Sequence, residues 1–218
     1  VKYFYIKNGE IYANVKQALI DEKIISSEYF FNLLAGRIKY PDRVKAGRYK
    51  IKNGMSLYNL LRMLRSGNQS PVNLVITKLR TKEDLAQKIA ANFECDSASF
   101  MQQLNNPKTW QQFQIDSNNI LTSVIPNTYS IFWNSTANKI LEKLHAASVK
   151  FWNEGRLSKA RVLNLSPQQV YTMASIVEEE TNKQTDKGKI ASVYINRMAI
   201  GMKLQADPTV KFALKNFK

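Results

Sequence analysis

The stretch Ser166–Val210 reads SPQQVYTMASIVEEETNKQTDKGKIASVYINRMAIGMKLQADPTV, and the chain is organised around it. Ser166 can cap a helix, Pro167 suits its first turn, and Gln169 completes an S-x-x-Q capping box. Val170, Met173, Ala174, Val177 and Thr181 then follow the i, i+3, i+4, i+7 rule of a core-facing stripe. Glu178, Glu179 and Glu180 crowd the far end. The last turn of a helix carries partial negative charge, and neighbouring carboxylates repel. Local electrostatics disfavours such a cluster, so it is a place to look for chemistry.

On a helical wheel Glu179 points into solvent, while Glu178 and Glu180 lie on opposite shoulders of the stripe. Glu178 follows Ala174 and Ser175, a small and partly polar setting. Glu180 follows Ile176 and Val177. An apolar wall disfavours the charged form of a carboxyl, and a carboxylic acid held protonated is what a glycosidic general acid needs. Periodicity therefore leans toward Glu180. The alternative is a solvated acidic helix end.

The blocks ASIVEEET (Ala174–Thr181), YINR (Tyr194–Arg197) and GMKLQADPTV (Gly201–Val210), with their spacing, resemble the murein endolytic transglycosylase family, MltG or YceG-like. IPNTY (Ile125–Tyr129) resembles an upstream block of that family, with Asn127 where Asp is frequent. The resemblance implies that Glu180, the Glu directly before Thr181, is the catalytic acid. It further implies that Asn196, Arg197, Gln205 and Asp207 help build the site, with Tyr129 lining the cleft. Asp186 stands where the family often has Glu, one methylene shorter. A structural ion pair is the competing reading of Arg197 and Asp207.

Composition bounds the remaining classes. The chain has 218 residues, 44% of them hydrophobic, enough for a packed core. Thirty-two basic against 17 acidic residues give a net charge of +15, which favours anionic surfaces: nucleic acid, lipid headgroups or acidic wall polymers. Basic residues are scattered and no nucleic-acid-binding motif appears, so no specific nucleic acid is expected. Cys95 and His145 are each the only residue of their type, which leaves neither a disulfide nor a zinc cluster. His145 lies in a helical pattern and reads as structural. No metal or organic cofactor is implied. A pyridoxal-dependent lyase would need a phosphate-cradling Gly-rich loop and a Schiff-base lysine, and neither stands out.

Ile6-Lys7-Asn8-Gly9 recurs as Ile51-Lys52-Asn53-Gly54. Each copy follows an aromatic-rich extended stretch and precedes a helical pattern: Val15, Leu19, Ile20, then Leu57, Leu60, Leu61, Leu64. Asn-Gly marks a tight turn. A further helix is expected over Glu28 to Ile38, ending near Tyr40-Pro41. Turn residues from Ser66 to Pro71 close this part. Val72 to Ile76 reads as a strand, Thr81 and Asp96 or Ser97 as helix caps, and Asn105-Asn106-Pro107 as a break. Ile125–Tyr129 reads as a turn. Ser135 or Thr136 caps a helix through Trp152, and Arg156, Lys159 and Arg161 follow in a loop. Ile190, Val193, Tyr194 and Ile195 set a second helix against the first, stopped by Gly201.

The expected fold class is α+β. Residues 1–70 form a small strand–helix subdomain, LysM-like by resemblance. Residues 71–218 form a mainly helical transglycosylase domain, incomplete at its C-terminus by comparison with the family. No apolar run is long enough to span a membrane. The family implies a bacterial cell envelope, an inner-membrane anchor missing from this chain, and a domain facing the periplasm or outer side. Its partners would be peptidoglycan glycan strands and cell-wall synthases. The expected reaction is lytic cleavage of the MurNAc-β-1,4-GlcNAc bond inside strands, leaving 1,6-anhydro-MurNAc ends. The alternative is a non-catalytic glycan-binding scaffold.

Overall fold

The computed structural model describes residues 1–217, which divide into two compact units. The first comprises residues 1–106 and 126–143; the second comprises residues 107–125 and 144–217. The chain is α+β, as expected: two small antiparallel sheets among helices.

In the first unit, β1 (Lys2–Ile6) pairs with β2 (Gly47–Ile51), Phe4 opposite Tyr49. Alternation puts Phe4, Ile6, Tyr49 and Ile51 on the buried face. Between them run α1 (Tyr12–Asp21) and α2 (Glu28–Arg37), and α3 (Leu57–Ser66) follows. Val15, Leu19, Phe31, Leu60, Leu61 and Leu64 close the core over the sheet. The repeated Asn-Gly turns form as expected. Gly9 and Gly54 sit at φ 83° and 74°, where a Cβ would be strained.

A second β-α-α-β arrangement follows. β3 (Val72–Ile76) pairs antiparallel with β4 (Asn127–Ile131), Leu74 opposite Tyr129. Between these strands the chain forms α4 (Lys82–Asn92) and α5 (Ser97–Leu104), then leaves for the second unit. Thr81 builds a capping box with Asp84, and Asp96 caps α5 through the Ser99 amide at 2.7 Å. Ile125–Tyr129 is therefore not simply a turn: from Asn127 it is strand, because Tyr129 and Ile131 need a sheet to bury them.

After β4 the chain makes a third strand–turn–helix. The Ser135 amide donates to the Phe132 carbonyl at 3.1 Å, matching Glu10 to Lys7 at 3.2 Å and Met55 to Lys52 at 3.1 Å. No glycine announces this turn, because Asn134 holds an ordinary negative φ there. Thr136 caps α7 (Ala137–Phe151), within which the division between units falls.

The second unit is helical: α6 (Pro107–Phe113), α8 (Glu154–Val162), α9 (Pro167–Glu180), α10 (Gln184–Ala199) and α11 (Asp207–Ala213), with the end of α7. Two elements depart from expectation. Pro107 ends one helix but also opens the next, where its missing N–H costs nothing. Arg156, Lys159 and Arg161 belong to α8, not a loop; Asn153 caps it and Glu154 pairs with Arg161 at 2.8 Å. Only Leu157, Ala160 and Val162 carry apolar side chains in α8, and Val162 is exposed, so the apolar stripe is too short to announce a helix. His145 is structural in its setting, stacked on Phe113 at 4.2 Å with burial holding its pKa down.

Candidate active site

α9 starts as its sequence dictates. Ser166 Oγ accepts from the Gln169 amide at 3.2 Å, and the Ser166 amide donates to Gln169 Oε1 at 2.8 Å. Its buried residues are Met173, Ile176 and Val177, packed with Tyr194 of α10 and with Ala206. The observed stripe is rotated from the expected one: Ala174 is exposed and Ile176 buried. Covering isoleucine removes more apolar surface from water than covering alanine, and the packing of α10 selects that face. α10 shows the same kind of change. Tyr194 is buried with Ile190 and Ala191 beside it, whereas Val193 is exposed.

Each of the three carboxylates has its own surroundings. All are exposed. Glu178 forms an ion pair with Lys187 of α10, and Glu179 faces outward. Glu180 Oε1 accepts a hydrogen bond of 2.6 Å from the Tyr194 hydroxyl. The apolar wall expected beside Glu180 exists, but Ile176 and Val177 turn into the core and leave the carboxylate in solvent. The electrostatic penalty at the end of α9 is thus offset by two groups of α10, a cation and a hydroxyl.

Tyr194 is the residue around which the site gathers, and sequence reading treated it only as packing. The residue is 7% exposed. Burial first, and then the hydrogen bond to Glu180, push the phenol up to about 12, so it remains a proton donor at any ordinary pH. The Arg197 guanidinium lies 5.8 Å from the Tyr194 ring centroid and donates to the Leu204 carbonyl. Asp207, the first residue of α11, is close enough to act electrostatically on the same phenol. The available signals were its place at the head of the YINR block and its spacing: Tyr194 precedes Arg197 by three residues, which puts both on one helical face.

The structure therefore brings Glu180, Tyr194, Arg197 and Asp207 to one locality. Arg197 is half-buried, and its guanidinium is committed to the Leu204 carbonyl, not to an ion pair with Asp207. Gly201 stops α10 at φ 70° as expected, and Gln205 is exposed in a left-handed conformation, φ 50°. Asn196 is exposed on α10. Asp186 lies in the first turn of α10, its carboxylate accepting from the Thr185 hydroxyl at 3.4 Å. Tyr129 is buried in β4, within the first unit. Among the described residues no group of three or more His, Cys, Asp or Glu could hold a metal ion, and no helix is long and apolar enough to cross a membrane.

Comparison of the whole chain places it among known proteins. The YceG-like family model matches residues 4–218, and the chain belongs to that family. The endolytic murein transglycosylase of Bacillus subtilis (strain 168) is 25% identical over 228 residues, covering 98% of this chain and 63% of that protein. The protein of the same name from Streptococcus pneumoniae serotype 2 (strain D39) is 25% identical over 234 residues, covering 95% of this chain. The chain spans only 42% of the pneumococcal protein's length. A crystal structure of a yceG-like protein from Listeria monocytogenes superposes with a TM-score of 0.61 at 24% identity, over 100% of this chain and 76% of that one.

Proposed function

We propose that this chain cleaves peptidoglycan glycan strands internally by lytic transglycosylation, in a bacterial cell envelope, with Glu180 as its single acid and base. The observation that carries the reading is the Glu180–Tyr194 pair: a carboxyl group open to an incoming strand and oriented by a buried phenol. Two of its relatives are named endolytic murein transglycosylases.

In the proposed reaction the Glu180 carboxyl donates its proton to the oxygen of the MurNAc-β-1,4-GlcNAc bond as the C1–O bond breaks. The carboxylate then takes the proton of the muramoyl C6 hydroxyl while that oxygen bonds to C1. The products are a free GlcNAc 4-hydroxyl and a 1,6-anhydro ring. No water is consumed, and Glu180 ends protonated as it began. The alternation of one carboxyl between acid and base is shared with retaining glycosidases; here the substrate supplies its own nucleophile. The bound strand would shield Glu180 from water, strengthening its interactions when the proton moves. Tyr194 would hold the carboxylate's angle, and Arg197 would hold the Leu204–Asp207 segment beside it.

The test is mass spectrometry of purified glycan strands after digestion. Wild type should generate 1,6-anhydromuramoyl ends inside long strands. Glu180→Gln, which keeps the shape and loses the proton, should be slower by about 10² to 10⁴-fold. Glu179→Gln should remain active. Reducing ends without anhydro rings would make the protein a hydrolase, and unchanged turnover in Glu180→Gln would remove the assignment. Strand binding without cleavage would favour the scaffold reading.

A further inference from the structure

A groove of about 630 Å³ runs beside α9, entirely within the second unit. Glu180 does not line it. Ile176 does, and Glu180 stands one turn further on, about 6 Å along the helix axis. Gln169, Thr172, Met173 and Ile176 line the groove, and with Glu180 they fall within an arc of about 100° on the helical wheel. The second rail is α10. Tyr194 meets Glu180, and Met198, one turn later, meets the groove. On α9 alone, groove and carboxylate therefore lie in one line that extends about 17 Å from Gln169 to Glu180.

The lining is nearly free of charge. The chain carries +15, yet no lysine or arginine lines this groove. Neutral amides of Gln114, Asn119, Gln168 and Gln169 surround a floor that includes Met173, Ile176 and Met198. Asp116 is the one charged residue, and its carboxylate is already occupied: it accepts from the Asn118 and Asn119 amides at 2.7 and 3.0 Å and from the Asn119 side chain at 2.7 Å. Amides that both donate and accept, over apolar surface, suit hydroxyls, acetamido groups and the C–H faces of sugar rings. They do not suit a phosphate polymer or nucleic acid, which would call on cations.

We propose that this groove is a binding subsite for uncharged, N-acetylated sugar units of a linear glycan, feeding the strand along α9 to Glu180. The inference rests on the reading of Glu180 as the cleaving group for its direction, and on the lining for its ligand class. Sugars held here would add binding energy remote from the reacting bond and fix the strand's register against the carboxyl.

The probe is a series of uncharged N-acetylglucosamine oligosaccharides of increasing length, titrated calorimetrically into the full chain carrying Glu180→Gln. Affinity should rise with length and change little with salt. Thr172→Trp, which fills the groove from an exposed position of α9, should weaken the longest oligomer about tenfold or more, and Gln168→Ala should weaken it less. Circular dichroism checks that both variants fold. Undiminished binding in folded Thr172→Trp, or no binding of any oligomer by the parent, overturns the proposal. The outcome is separable from the fate of the cleavage reading. Anhydro products formed equally by wild type and Thr172→Trp would leave Glu180 in place and remove the subsite. Oligomer binding lost in Thr172→Trp, in a protein that cleaves nothing, would keep the subsite and remove the chemistry.

Discussion

At the scale of single residues, the proposed site rests on the hydrogen bond that the Tyr194 hydroxyl donates to Glu180. A phenol held at about 12 donates but does not ionise, so it orients the carboxylate without competing for its proton. Tyr194→Phe keeps the buried ring and removes only that donor. Because Glu180 is exposed and can hydrate in its place, the expected stability change is within about 1 kcal/mol. The expected loss in kcat is about tenfold with KM little changed, since the strand still binds while the carboxyl wanders. Steady-state kinetics on purified strands, beside thermal denaturation, separates this from unfolding: a rise in KM alone would assign Tyr194 to binding. Charge placement, and by resemblance the Thr that follows it, singled out Glu180 in the sequence as the candidate acid. Tyr194 was not, because a tyrosine on a core-facing position has packing as its sufficient explanation.

At the scale of elements, the turns and caps were the most legible features. Local chemistry decides them within a few residues: Ser166 with Gln169, Thr81 with Asp84, Asn-Gly at Gly9 and Gly54. Two glycines make this quantitative. Gly54 has φ 74°, so Gly54→Ala should cost about 1 kcal/mol through the left-handed backbone, although nothing stands within 4 Å of the new Cβ. Gly36 lies inside α2 at an ordinary φ with open space around it, and Gly36→Ala should stabilise by about 0.5 to 1 kcal/mol. Paired chemical denaturation curves check both signs; a stabilised Gly54→Ala would mean the turn can change type, as the Asn134 turn already has. The faces of α9 and α10 were less legible. Two apolar stripes one residue apart fit each helix equally well, and only the partner helix chooses between Ala174 and Ile176.

At the scale of the whole molecule, charge and chemistry are unevenly placed. The chain carries a net charge of +15, while no lysine or arginine lines the groove beside α9. Binding to anionic wall polymer should therefore collapse between about 0.1 M and about 1 M salt, as the Debye length falls from about 10 Å to about 3 Å. Binding of neutral oligosaccharide should persist across the same range. Sedimentation with isolated wall material, with and without its anionic polymers, and calorimetry with the oligosaccharide measure the two. Parallel salt slopes would mean that one surface serves both ligands.

The sequence by itself determined what is local or periodic: the α+β class, the strand at Val72–Ile76, the repeated strand–turn–helix, the capping of α9, and Glu180 as the carboxyl to examine. These follow from backbone sterics, capping chemistry and hydrophobic period, all of which act within a few residues. Only the tertiary structure decided the rest. It showed that the β-α-α-β arrangement occurs twice, because strand pairing joins Val72–Ile76 to residues 51 to 59 positions later and leaves no local mark. It put Lys187 against Glu178 and Tyr194 against Glu180, two different answers to one electrostatic problem. It also drew Arg197 inward to the Leu204 carbonyl and set a cation-free groove beside the carboxyl. Each of these depends on which faces of two helices meet, and that choice is made by the total apolar area their packing buries, not by either helix alone.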